Sequence, residues 1–138
     1  MKLQTASRIA IYAALELSRD PERQLSAAEI GGKYGMSTHH LSKVLHTLGR
    51  AGLVRSVRGA GGGYVFAGNA RRITLLDVIE LFEPVGNPDG DREPGSATAE
   101  GAALNAILGE IDELTRATLN SVTLTTMHKL AASKLRDA

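Results

Sequence analysis

The side chains with the clearest chemistry lie between Ser37 and Arg50. Thr38, His39, Ser42, Lys43, His46, Thr47 and Arg50 are hydrogen-bonding or cationic, and no acid stands among them. Leu41, Val44, Leu45 and Leu48 recur at i, i+3, i+4 and i+7, so one face of a helix is apolar and the polar set occupies the opposite face. Such a helix can enter the major groove of double-stranded DNA, where its N-terminal side chains reach base edges and its flanks meet phosphate. Thr38, His39 and Ser42 are then the candidates for bases, with His40 and Lys43 closer to the backbone. A solvated surface helix would show a similar polar face, so the neighbouring elements must decide.

Upstream, Ser26-Ala27-Ala28-Glu29 fits a capping box and starts a helix at about Ala27 that carries Ile30 inward. It must stop near Lys33-Tyr34-Gly35, where Gly35 can take the left-handed conformation, with Met36 plugging the turn from inside. Ser37 is a second N-cap close behind, so two helices meet at a sharp angle, the pattern of a helix-turn-helix. Downstream, Leu53 to Arg58 and Gly63 to Phe66 read as two strands around Gly59-Ala60-Gly61-Gly62. A tip without bulky side chains can lie along a minor groove, and Arg58 beside it is placed to insert there. A phosphate loop for a nucleotide is the rival. It lacks the Gly-Lys-Ser/Thr ending, and a strand follows where a dinucleotide site needs a helix.

The charge distribution supports the DNA reading. Net charge is only +1, yet residues 1–72 hold 11 Lys/Arg against 4 Asp/Glu, and residues 73–138 hold 5 against 11. Between Glu29 and Asp77 there are seven cations and no acid, a gap that suits approach to a polyanion.

The run GMSTHHLSKVLHTLGRAGLVRSVRGAGGGYVFA, followed by ITLLDVIELFEP, resembles the Rrf2 family of bacterial regulators (IscR- and NsrR-like). The likeness runs from the MKL start into the helix after residue 100. It implies a winged-helix homodimer that regulates transcription, read here as a repressor, on a palindromic operator. Residue by residue it points to Ser37, Thr38, His39 and Ser42 in the reading helix and to Arg58, Gly59 and Gly61 in the wing. Cluster-binding members carry three cysteines in the loop after the Ile-x-Leu-x-Asp-Val helix and at the start of the next. This chain has none, so no iron-sulfur cluster or other cofactor and no metal site is expected in it.

The remaining segments must support this centre. Ile9, Ala10, Ala13, Ala14 and Leu17 give a first helix from Thr5 to Ser18, ended by Asp20-Pro21, with Lys2 and Arg8 near its start. Thr74-Leu75-Leu76-Asp77 caps a helix that Pro84 closes and that should pack under the wing. Residues 84–101, with three Pro and four Gly, read as a mobile surface loop whose only candidate ligands are Asp89, Asp91, Glu93 and Glu100. From about Thr98 a stripe of Leu104, Ile107, Leu108, Ile111 and Leu114, continued to Val122, is longer than one small domain can cover, which points to dimerisation against a second copy. A last short helix starts at Thr123 or Thr125, with His128 on its surface.

The expected architecture is mostly α with a small β-hairpin wing. A winged helix-turn-helix domain occupies 1–83, a loop 84–101, and the dimerisation and C-terminal helices 102–138. The 43% hydrophobic content over 138 residues suits one compact domain with an appendage. No apolar run reaches membrane-spanning length and no signal peptide is legible, so a cytoplasmic location and no membrane partner are expected. Ser, His and Asp show no spacing that suggests a triad, and His39, His40 and His46 cannot gather on one metal, so an enzyme is not expected. The alternative is a protein-interaction module that docks an enzyme or another regulator through the acidic arm, with weak DNA affinity. A small-molecule or protein effector leaves no mark in the sequence.

Overall fold

The computed structural model describes residues 1–59 and 61–137; Ala60 of the hairpin tip and Ala138 lie outside the described residues. Helix α1 (Thr5–Arg19) turns Ile9, Ala10, Ala13, Ala14 and Leu17 fully inward. Its N-cap, Gln4, makes no capping bond of its own. Glu83, far along the chain, takes that role: its carboxylate accepts the Gln4 N–H and the hydroxyl of buried Ser7. A charged acceptor at a helix N-terminus satisfies a free donor and complements the helix dipole at once.

Helices α2 (Ala27–Tyr34) and α3 (Thr38–Arg50) follow, and both caps expected from the sequence are present. The Ser26 hydroxyl accepts from Glu29 N–H while the Glu29 carboxylate accepts from Ser26 N–H. The Ser37 hydroxyl accepts from His40 N–H at 3.1 Å. Gly35 ends α2 with φ +66, and the Met36 N–H donates to the Gly31 carbonyl at 2.9 Å. A Cβ on Gly31 would stand 2.6 Å from the Met36 carbonyl oxygen, so the turn closes only because that residue has no side chain. Met36 is partly buried against the core.

Strands β1 (Val54–Val57) and β2 (Gly63–Phe66) form an antiparallel hairpin in the register Val54↔Phe66 to Val57↔Gly63. The hairpin rests on α1 and α3. Helix α4 (Leu75–Ile79), capped by the Thr74–Asp77 box, packs on α1 and α5 rather than under the wing as the sequence suggested. Its Val78 and Ile79 are fully buried, and burial against α1 and α5 satisfies them without the hairpin.

Two further expectations change. Residues 84–101 are not a loop throughout: a 3-10 turn occupies Gly90–Arg92, and α5 (Ala99–Ser121) starts inside the segment, capped by the Thr98 hydroxyl on Gly101 N–H. The segment is tied to α5, with Asn87 N–H donating to Asp112 and the Asn105 amide donating to Ser96 Oγ and the Gly90 carbonyl. Val122 does not extend the α5 stripe. It ends the helix in extended conformation, is half-buried, and its carbonyl accepts the Leu75 N–H. The reciprocal bond from Leu124 N–H to the Ile73 carbonyl ties the α5–α6 junction to the chain before α4.

Helix α6 (Leu124–Asp137) starts on the Thr123 cap and packs on α1 through fully buried Leu124. His128 is a half-buried contact, not a surface residue: its Nε2 lies 2.8 Å from the Ser18 hydroxyl. Burial first, and then the nearby Arg19 charge, push the His128 pKa below its ordinary value, with Glu16 acting weakly the other way. An imidazole more easily charged when unfolded contributes stability above the ordinary histidine range, and this is lost as pH falls through the folded pKa. Acidification should therefore loosen α6 from α1, and His128→Gln, which keeps a polar partner for Ser18, should flatten that part of the profile. Denaturant midpoints of both proteins from neutral pH downward check this; parallel profiles would exclude His128 as the source.

Candidate nucleic-acid interface

One apolar side of α3 is sealed against the core: Leu41, Leu45 and Leu48 are 0% exposed and Val44 2%. That burial leaves Thr38, His39, Ser42, Lys43, His46 and Arg50 exposed, with His40 and Thr47 at the margin. Ser37 and Thr38 stand at the exposed start of the helix, and the Ser37 hydroxyl is already engaged with His40 N–H. Ser37, Thr38, His39 and Ser42 thus share the N-terminal end of one solvent face, Lys43 beside them. His40 is set partly into the protein.

The hairpin stands next to this helix. Arg58, Gly59 and Gly61 are exposed at its tip, where Gly59 has φ +126 and Gly61 φ +91. Those backbone angles favour glycine at both positions. The tip is also held from beneath, by a contact that no sequence periodicity marks. Leu25 exchanges two backbone hydrogen bonds with Tyr64, at 3.0 and 2.8 Å, and the Gln24 amide donates to the Gly62 carbonyl at 2.6 Å. A Cβ on Gly63 would lie 2.7 Å from the Leu25 carbonyl oxygen, so this strap needs glycine there. The chain between α1 and α2 therefore fixes the wing relative to α3.

Between α3 and the hairpin runs a cleft of about 360 Å³, lined by Leu45, His46, Gly49, Arg50, Val54, Arg55, Ser56 and Tyr64. Sequence reasoning singled out Arg55 only as one of a run of cations. Both Arg50, at the end of α3, and Arg55, on β1, border the cleft. Among the described residues no carboxylate lines the cleft.

On the other side of the helix-turn-helix, Glu16 of α1 sits in a cationic cluster. It accepts from Lys33 and Tyr34, the latter at 2.6 Å, and from Arg19 at 3.1 Å. Burial raises its pKa, but the hydrogen bonds from Lys33 and Tyr34 and the charges of Arg19 and Lys33 outweigh it and hold the carboxyl below its usual range. Burial first, then the Glu16 bond, pushes the Tyr34 phenol well above its ordinary value. Tyr34 also stacks on Tyr12 with ring centroids 4.6 Å apart. The cluster joins α1 to α2 and engages the one half-buried carboxylate of the basic half with two cations and a phenol.

The long stripe is open to solvent. Leu104, Ile107, Leu108, Ile111 and Leu114 are 44–69% exposed, and α5 buries no residue within the chain. Among the described residues no helix is long and apolar enough to cross a membrane.

Residues 3–129 match the Rrf2 family model, described as an iron-dependent transcriptional regulator. The chain is 46% identical over 136 residues to the HTH-type transcriptional regulator BadM of Rhodopseudomonas palustris, covering 99% of this chain and 86% of that one. Among solved structures it is similar to CymR, the global cysteine regulator of B. subtilis, with a TM-score of 0.81, 28% identity and coverage of 94% and 98%. It is also similar to IscR of T. potens, with a TM-score of 0.70, 29% identity and coverage of 95% and 88%. The donor set does not fit a thiolate-held iron-sulfur cluster. The chain has no cysteine, the loop offers only carboxylates, and one of these, Asp89, faces Arg92 at 3.9 Å. Among the described residues no three His, Asp or Glu gather as a metal site.

The strap generates a test of how the wing is held. Gln24→Ala should speed hydrogen exchange at the Gly62–Tyr64 amides by several-fold and leave the amides of α3 unchanged. Unchanged exchange at the hairpin would show that the Leu25–Tyr64 bonds suffice alone.

Proposed function

The chain belongs to the Rrf2 family of DNA-binding transcriptional regulators, and on that premise we propose that it binds a palindromic operator as a homodimer and represses transcription without an iron-sulfur cluster. The observation that carries this reading is the acid-free solvent face of α3, buried on its other side and flanked by a glycine-tipped wing. In this reading Thr38, His39 and Ser42 meet base edges, while Ser37, His40 and Lys43 meet the adjoining backbone. Gly59 and Gly61 let the wing tip lie close to the duplex, and Arg58 enters the minor groove, where the negative potential is deepest.

The exposed stripe of α5 supports the dimer. Five large apolar side chains in water are costly, at roughly 25 cal/mol per Å² of apolar surface, and the same stripe on a second copy covers them by two-fold symmetry. Two reading helices related in this way enter successive major grooves, with half-sites about 10 base pairs apart. The proposed setting is the bacterial cytoplasm, where the operator lies.

The reading is tested by fluorescence anisotropy on a duplex from the protein's own upstream region and on a scrambled duplex, across a salt series. The wild-type protein should prefer the first duplex and lose affinity steeply with salt. Arg58→Ala should weaken binding and reduce the log–log salt slope by about one per chain. A wild-type slope in that variant removes Arg58 from the interface, and equal weak binding to both duplexes favours docking through the acidic arm instead. Ile111→Asp should convert the dimer to monomer in sedimentation velocity and abolish tight operator binding with it. A dimer that survives this substitution places the subunit contact elsewhere.

A further inference from the structure

Helix α5 carries the stripe proposed to join two copies, yet it buries no residue within its own subunit. Its course relative to α3 is therefore not set by a core of its own. Within the chain it leans on α4 and on the Gly90–Arg92 turn, with Arg116 paired to Glu80 at 3.4 Å. An exposed pair of that kind contributes little. The firm attachment is at the C-terminal end, where residues 73–75 and 122–124 clasp each other as an antiparallel bridge centred on Thr74 and Thr123. The Leu75 N–H donates to the Val122 carbonyl and the Leu124 N–H to the Ile73 carbonyl, both at 2.9 Å. The Thr125 N–H adds a bond to the Ala70 carbonyl at 3.1 Å. Thr74 is buried, and its hydroxyl serves both sides: it accepts the Asp77 N–H that caps α4 and donates to Asn120 Oδ1 in the last turn of α5 at 3.4 Å. One jaw of the clasp follows directly from the wing, since residues 67–72 link β2 to it, and the other is the junction of α5 and α6.

We infer that this clasp is the hinge that sets how far apart the dimer holds its two reading helices, and that it thereby fixes the half-site spacing the protein accepts. The inference rests on the homodimeric DNA-binding reading above and adds a source of specificity outside the DNA surface. The leverage is sufficient. Ile107, in the middle of the stripe, lies thirteen residues before Asn120, about 20 Å along the helix. A tilt of about 10° at the clasp moves it by roughly 3.5 Å, close to the ~3.4 Å step between base pairs. Thr74, Leu75 and Asn120 act through the placement of α3, so they are positioning residues.

Three variants separate the clasp from ordinary packing. Leu75 is the first residue of α4, where proline is favoured, and Thr74 before it is already extended at φ −99 and ψ 165, as a residue preceding proline prefers. Leu75→Pro therefore keeps the helix and replaces the proton given to Val122 with a ring carbon. Leu75→Ala removes the half-buried side chain but keeps that N–H, so it controls for packing. Asn120→Ala removes the acceptor of the Thr74 hydroxyl from an exposed helical position that alanine suits.

Anisotropy is read on the upstream operator and on duplexes whose half-sites are moved apart or together by one base pair. For the wild-type protein each change should cost about tenfold or more, comparable with the loss of one base contact. In Leu75→Pro that penalty should fall several-fold, in Asn120→Ala it should fall part of the way, and Leu75→Ala should keep it. Binding to a duplex with a single half-site should be the same in all four proteins. An undiminished penalty in Leu75→Pro overturns the proposal, and so does a diminished one in Leu75→Ala, which would assign the effect to packing. A shifted single-half-site affinity overturns it too, because the substitutions would then act on the reading surface. Where Leu75→Pro lacks a cooperative melt, Asn120→Ala decides by itself, and a full wild-type penalty in it is the overturning result. A wild-type dimer that binds every spacing equally removes this inference and leaves the DNA reading in place. A wild-type protein that binds no duplex, or binds without dimerising, brings down the reading beneath it.

Discussion

Leu41, Val44, Leu45 and Leu48, all at 2% exposure or less, lock the rotation of α3 about its own axis. Burying each contributes on the order of 1.5–3 kcal/mol, so a helix turned by one residue would forfeit much of the domain's stability. Once that rotation is fixed, the exposed face has no freedom: His39, Ser42, Lys43, His46 and Arg50 must face water. The tight turn before α3 depends on the same packing. Gly31 meets the Met36 carbonyl at a distance no side chain permits, which brings α2 against α3 and sets the angle between them.

Electrostatics and packing divide the molecule in a consistent way. The helix-turn-helix and hairpin hold the cations, and the one carboxylate buried near them, Glu16, is spent on Lys33, Arg19 and Tyr34. The acids collect on α4, the loop and α5. One of them, Glu83, reaches back to hold the start of α1. The acidic part of the chain thereby supports the basic part structurally. The same separation lets α5 present an apolar stripe that the subunit itself never covers.

The absence of cysteine also acquires a structural context. The loop where the family resemblance implies cluster ligands is fastened here by the Asn87 N–H donating to the Asp112 carboxylate and by the Asn105 amide donating to Ser96 Oγ and the Gly90 carbonyl. These bonds join the loop to α5 directly.

Local chemistry was legible wherever neighbours in sequence are neighbours in space. The two capping boxes, the glycine at the end of α2, the buried face of α3 and the two strands are all set within one or two helical turns or one hairpin, so the sequence alone determined them. The exposed stripe of α5 was legible for the same reason, although its last member, Val122, was assigned by extending a period past the point where the helix ends. What only the tertiary structure decided depends on residues far apart in the chain. The Gln24–Gly62 strap, the Glu83 cap on α1, the packing of α4 on α1 and α5 and the His128–Ser18 contact leave no periodic signal. Each arises because burial of the apolar faces brings distant polar groups together, and they pair where the core happens to place them.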